Sequence, residues 1–343
     1  MPKQGKIGSP EPIAALNKVK ILELTVPWEQ RETLVDVRTY CKDIVWAEHV
    51  CPYLRLNVAN MLNAAQNSLP SGYKLRAGTA LRTLNMQKNG WDGYFKRMRE
   101  EHPEWPLSAL RRATNKFFAP YDQPAPPGHC TGGAVDVGIQ DAEGNVLNLI
   151  APTESWQAAY TWSDLISEES RRNRMMMVEA MLGAGFSNCR DEYWHYSWGD
   201  SAWAVRTGET TCPYGWTYPP VALEANYEGA TACPMEISFT RDANGKPESA
   251  DGCVELQPGQ TDFSFGLYWA NGVNVSLAIQ IPTHLPIPAP LWKSNNRENW
   301  ELVDTFEKLE NRLILSITPT YDRIFLTNIP PPPVKEEQPA SSA

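Results

Sequence analysis

Two short segments of the chain concentrate groups that can hold a metal and move protons. The first is H-C-T-G-G-A-V-D, running from His129 to Asp136; the second is E-Y-W-H-Y, from Glu192 to Tyr196. Together they supply two imidazoles and two carboxylates in a chain with only 5 histidines. A catalytic zinc takes three nitrogen or oxygen ligands and keeps a fourth position for water, whose pKa it lowers from about 16 to about 7. His129, Asp136 and His195 suit the ligand set for zinc (Zn2+). Glu192 suits the base that takes the proton of that water. Taken singly, each histidine reads more readily as an ordinary polar residue than as a ligand, so spacing by itself leaves both readings open. His49, His102 and His284 have no acidic or histidine partner at ligand spacing.

The spacing makes demands on the backbone. Side chains along a straight strand alternate between faces, so His129 and Asp136, an odd number of residues apart, point to opposite sides unless the chain turns between them. Gly132-Gly133 stands there, and glycine is what such a turn or bulge uses. Glu192 and His195 likewise converge only across a tight turn. Cys130 sits beside a ligand candidate, but neighbours in an extended chain face apart, which argues against a nucleophilic role. Tyr193, Trp194, Tyr196, Trp198 and Trp203 read as packing around the second segment, with one or two free to wall a pocket.

The elements that must position these groups can be read from periodicity. Apolar residues recur at three- and four-residue steps over Arg55–Leu69, Leu107–Phe118 and Glu168–Leu182, predicting three helices, the last capped by Ser167. Arg171, Arg172 and Arg174 read as its solvated face, and Met175, Met176 and Met177 as core filling. Val135 to Leu149 alternates about the turn Asp141–Asn145 and predicts a hairpin. From Pro219 the texture becomes strand-like: 236–241, 253–257, 262–269, 273–281, 313–317 and 324–329 are β-like runs, with Asn244-Gly245 and Asn271-Gly272 as hairpin turns. Trp300, Val303, Phe306 and Leu309 predict one amphipathic helix within this region. The expected fold class is α+β. A catalytic domain of a small antiparallel sheet with flanking helices, residues 20–210, precedes a mostly antiparallel β domain, residues 219–329. A disordered tail follows, residues 330–343.

Composition excludes several function classes. The chain has 343 residues, 42% hydrophobic and 21% charged, which is a globular balance. Its formal charge of −9 argues against broad binding to nucleic acid or to anionic membranes. No apolar run approaches the roughly 18 residues of a membrane span, and the first apolar run, Ile13–Leu16, is too short for a signal-peptide core. A cytoplasmic location is the expectation. The 7 cysteines, widely spaced and without a C-x-x-C pair, read as buried free thiols. No glycine-rich phosphate loop or nucleotide, flavin or haem motif is present.

The pattern H-x-x-G-x-A-x-D, followed 56 residues later by E-x-x-H in an aromatic setting, resembles the D-alanyl-D-alanine dipeptidase family of zinc metallopeptidases, relatives of the vancomycin-resistance dipeptidase. Leu69 to Leu75 (LPSGYKL) is similar to the segment ahead of that family's Gly-Tyr-Arg-Pro motif. Counted without gaps, the motif falls on Ala80-Leu81-Arg82-Thr83, where only the arginine is kept. Arg171 to Phe186 is similar to the helix before the family's E-x-x-H. The resemblance spans roughly 35 to 203 and implies zinc held by His129, Asp136 and His195, with Glu192 as general base and acid. Arg82 would stabilise the oxyanion. Glu154 would meet the substrate's free amine, with Asp164 as the next match. Pro127 stands where the family has serine. The implied activity is hydrolysis of D-alanyl-D-alanine or a similar small dipeptide. The alternatives are a D,D- or L,D-carboxypeptidase acting on longer cell-wall peptides and a non-catalytic zinc-stabilised peptide-binding module; retention of Glu192 argues against the last.

Overall fold

In the computed structural model the backbone divides into two compact units, residues 1–217 and 218–343. The structure describes residues 7–8 and 11–219 except 49 and 154, and then 222–224, 235–242, 245–255, 259, 262–268, 274–280, 290–295, 297, 299–303, 307–309, 312–317 and 323–330. His49, Glu154, His284, the Asn271-Gly272 turn and the tail beyond 330 therefore lie outside the described residues. No helix among the described residues is long and apolar enough to cross a membrane.

The first unit is built on six strands: β1 (Ile7–Gly8), β2 (Val45–Trp46), β3 (Lys74–Thr79), β4 (Ala134–Gln140), β5 (Ser187–Cys189) and β6 (His195–Ser197), in the order β1-β5-β6-β4-β3-β2. The four central strands pair antiparallel, while the edge pairs β1–β5 and β2–β3 are parallel. Five helices of seven or more residues accompany them: α1 (Leu56–Ser68), α2 (Leu84–Glu101), α3 (Leu107–Thr114), α4 (Glu168–Gly183) and α5 (Ser201–Thr207). Strand alternation decides which face is buried. Leu75 and Ala77 on β3, and Val135, Val137 and Ile139 on β4, pack with Val58, Leu62 and Ala65 of α1 and Met177, Val178 and Met181 of α4. The intervening residues, Arg76, Gly78, Asp136 and Gly138, face the other way.

The helices α1, α3 and α4 fall where the apolar periodicity places them. Met177 is fully buried and Met175 and Met176 pack against the core, as core filling requires. Helix α2 was not expected, because Gln87, Trp91 and Met98 alone bury themselves on it and such a thin stripe gives little periodic signal. The solvated-face reading of the arginines is corrected at Arg174. Its side chain is fully buried, with Nε donating to Leu149 O (2.9 Å), Nη1 to Tyr160 O (2.6 Å) and Nη2 to Ala158 O (2.9 Å), and its guanidinium lies over the Tyr193 ring. Three carbonyls from two segments that need a donor at one point outweigh the cost of burying the charge. The hairpin from Val135 is also smaller than expected. The Asp141–Asn145 turn forms, but its return is a single bridge at Gln140–Val146, because β4 takes β3 and β6 as its main partners.

The second unit carries two five-stranded sheets. One is ordered Ala222–Glu224, Ser264–Tyr268, Arg323–Thr327, Trp292–Ser294, Glu301–Leu302; the other Met235–Arg241, Pro247–Glu255, Asn274–Gln280, Arg312–Ile317, Glu307–Leu309. All pairs are antiparallel except Pro247–Glu255 with Asn274–Gln280. The turn at Gly245, with φ of 81°, joins an antiparallel pair as the sequence predicts. Two expectations are corrected. The strands on either side of Asn271-Gly272 belong to different sheets, so they form no hairpin. Among the described residues of 300–309 no helix forms: Glu301–Leu302 pairs with Trp292–Lys293, and Glu307–Leu309 with Arg312–Ile314. A three-residue recurrence does not select a helix when unfilled strand edges offer backbone partners.

Candidate metal centre

His129 lies in a single 3-10 turn, Gly128–Thr131, just before β4. The chain then reverses through Gly132, whose φ of 70° is left-handed, and passes Gly133, where a Cβ would stand 2.6 Å from Trp198 O. That close approach lets Trp198 N donate to Gly133 O (2.9 Å) and brings β6 alongside. Asp136 on β4 pairs in register with His195 on β6. These local requirements bring the three side chains together. His129 Nε2 is 3.1 Å from Asp136 Oδ1 and 3.2 Å from His195 Nδ1, and His195 Nδ1 is 3.0 Å from the same carboxylate oxygen.

This triangle fits a small cation. Tetrahedral ligands about 2.0–2.1 Å from zinc stand about 3.3 Å from one another, close to the spacing observed. The outer hydrogen bond supports the fit. His129 Nδ1 must donate to Ala80 O (2.9 Å), a carbonyl that can only accept, so in the neutral ring the Nε2 lone pair faces Asp136 and His195. Lone pairs converging on one point are stabilised by a cation held between them. His129, Asp136 and His195 also form a group of residues able to hold a metal by mutual proximity of their ligand atoms. Their side chains keep 7%, 19% and 14% of their surface exposed, so the triangle is sheltered yet reachable.

Electrostatics within the group are strongly coupled. Burial works to raise the Asp136 carboxyl, but the charge and hydrogen bonds of the two imidazoles outweigh it and hold the carboxyl well below the usual range. Burial lowers His129 despite Asp136 beside it. His195 is also penalised by burial, yet Asp136 and Glu192 together raise it. The carboxyl of Glu192 is pushed up, first by burial and further by Asp136, against the pull of His195, Arg206 and Arg82.

Consecutive tight turns link Glu192 to His195: Glu192 N donates to Cys189 O and His195 N to Glu192 O, both at 3.1 Å. Fully buried Asn188 fixes this segment, its Nδ2 donating to Glu192 O (3.1 Å) and His195 O (2.9 Å). Arg82 is tied to the first segment, since Arg82 N donates to His129 O (3.0 Å) two residues after Ala80 accepts from the same ring. Its Nη1 donates to Gln87 Oε1 (2.9 Å), and Gln87 Nε2 in turn donates to Ala119 O (2.6 Å). Thr83, where the motif has proline, caps α2 by accepting from Met86 N (3.2 Å), and so starts the helix that presents Gln87. Glu154 lies outside the described residues. The alternative Asp164 has a side chain 95% exposed and pairs with Arg171 at 3.6 Å.

Sequence reasoning missed the supporting residues. Arg55 is buried and bidentate on Glu23 at 2.7 and 2.8 Å, and its Nε donates to Thr131 O (2.9 Å), pinning the turn that carries His129. Buried Arg206 pairs with Glu11 at 2.5 Å and donates to Ser197 Oγ (3.2 Å) at the end of β6. Gln87, Asn188, Arg55 and Arg206 belong to no motif; a polar residue within an otherwise apolar stripe, as at Gln87, was the one available signal. Cys130 is fully buried, and Trp194 lines a cavity with Asp136.

Comparisons with known proteins bear on the same segment. The family model described as D-ala-D-ala dipeptidase matches residues 101–212. D-alanyl-D-alanine dipeptidase of Escherichia coli (strain K12) is 29% identical over 69 residues, 20% of this chain and 36% of that protein. A crystal structure of a metallo-carboxypeptidase from Burkholderia cenocepacia aligns at 15% identity and a TM-score of 0.25, covering 32% of this chain and 28% of that one. The chain thus spans about a third of the length of these relatives. The segment that carries His129, Asp136, Glu192 and His195 matches the D-ala-D-ala dipeptidase family, the one its motifs resemble.

Proposed function

We propose that this protein is a zinc metallopeptidase that hydrolyses D-alanyl-D-alanine or a similar small dipeptide bearing D-residues. The observation that carries the reading is the convergence of two imidazole nitrogens and one carboxylate oxygen within 3.0–3.2 Å, with the half-buried Glu192 three residues before one of the ligands. The E. coli relative's name and the family match on residues 101–212 support the substrate class.

His129, Asp136 and His195 would hold the zinc, which supplies a Lewis acid and makes water more acidic. Glu192 accepts the proton of the attacking water and returns it to the leaving amine nitrogen as the C–N bond breaks. A carboxyl raised by burial suits both halves of that task, since its proton affinity lies nearer that of its partners. Arg82, held by Gln87, donates hydrogen bonds to the carbonyl oxygen as negative charge grows there. Glu154 would meet the dipeptide's amine.

Metal analysis combined with a D-alanine release assay on wild type and Glu192→Ala tests these roles. The variant should keep its metal and lose at least about a hundredfold in rate. Near-wild-type turnover by Glu192→Ala would falsify the assignment.

A further inference from the structure

Across β3 and β4, the sheet face opposite the core carries Arg76, Gly78, Asp136 and Gly138. Arg76 pairs in register with Gly138, two residues along β4 from Asp136. Arg76 is therefore a diagonal neighbour of Asp136 on one face, roughly 7–8 Å away across the strand pair. A cavity of about 270 Å³ covers this face, walled by Val45, Val146 and Trp194. Its floor is open at both glycines, where a Cβ would have no atom within 4 Å. Among its described lining residues only Asp136 and Arg76 carry charge. No hydrogen bond or ion pair within the described chain holds the half-buried Arg76 guanidinium.

We propose that Arg76 receives the substrate's C-terminal carboxylate, and that this cavity holds the single residue on the leaving-amine side of the scissile bond. The inference rests on the peptidase reading and narrows its substrates. An unpaired guanidinium in a small, largely apolar cavity is suited to a planar anion that it can grip with two hydrogen bonds. Length agrees. One residue spans at most about 3.6 Å, so a carboxylate one residue beyond a carbonyl at Asp136 falls within reach of the arginine fork, whereas a second residue would overrun it. The enzyme then removes one C-terminal residue bearing a free carboxylate, and peptides that continue or are blocked at that end are excluded.

The test compares D-alanyl-D-alanine with its C-terminal amide on the zinc-loaded protein. It follows hydrolysis in wild type and Arg76→Gln, and calorimetric binding in Glu192→Gln with and without Arg76→Gln. Wild type should prefer the acid by at least about tenfold, expressed in KM, and Glu192→Gln should bind the acid tighter by a similar factor. Arg76→Gln should erase both preferences, and Arg76→Lys should restore part of them. Equal handling of acid and amide by wild type overturns the inference without any variant having to fold. So does an Arg76→Gln protein that keeps the preference. Should wild type hydrolyse neither compound, the peptidase reading falls. The binding arm still decides the carboxylate site: an Arg76-dependent preference upholds it, and no binding or no preference ends it.

Discussion

At the scale of single residues, the group depends on which atoms carry protons. In the proposed reaction Glu192 accepts a proton only when ionised, and its carboxyl is raised above the ordinary value of 4.5. As pH falls through that raised value the carboxylate is protonated and can no longer accept a proton, so kcat/KM should fall on an acid limb lying above 4.5. In Glu192→Gln that limb should vanish along with most of the rate, which a pH profile of the residual activity checks. His195→Ala should lose the metal, because two ligands remain where three are needed; metal content after gel filtration reads this directly. Most of this was legible in the sequence. His129, Asp136, Glu192 and His195 stand out through the motifs H-x-x-G-x-A-x-D and E-x-x-H, since spacing by itself left the metal and the ordinary polar readings both open. Asn188 and Gln87 were not legible, because an amide's role is set by which carbonyls and side chains the fold delivers to it.

At the scale of elements, helix α2 and the loops around Arg174 hold what the strands present. Gln87 fixes Arg82 from the first turn of α2, so Gln87→Ala should lower kcat about tenfold with KM little changed. Gln87→Glu, which keeps an acceptor for Nη1, should recover part of the loss. An effect on stability alone, with kcat intact, would deny Gln87 this positioning role. Arg174→Met removes the shared donor of three carbonyls and should cost at least about 2 kcal/mol by urea denaturation. Helices α1 and α4 were readable because each buries a repeating apolar stripe, and α3 by its three- and four-residue spacing, although only Leu110 and Thr114 of it are buried. Helix α2 hid because its buried side is thin, and Arg174 because nothing local distinguishes it from its exposed neighbour Arg172.

At the scale of the whole molecule, a ligand that binds only the folded chain stabilises it by mass action, by about 2.7 kcal/mol at a hundred times its Kd. Zinc should therefore raise the melting midpoint of the wild-type chain, and His195→Ala should abolish that rise; a scanning melt with added zinc or chelator checks both. Burial raises the thiols of Cys41, Cys189 and Cys212, to about 12, 11 and 11, so all three should resist alkylation at neutral pH until the chain unfolds. What the sequence alone determined are the chemical groups, the turn-forming glycines between His129 and Asp136, and the helices whose apolar stripes repeat along the chain. These are local properties, carried by residue type and short spacing. Only the tertiary structure decided that Asp136 registers with His195, that Arg174 lies inside, and that Glu307–Leu309 joins a sheet. Register, burial and strand partnership are settled by contacts between residues far apart in the chain, and a linear pattern does not encode which of the available partners each will meet.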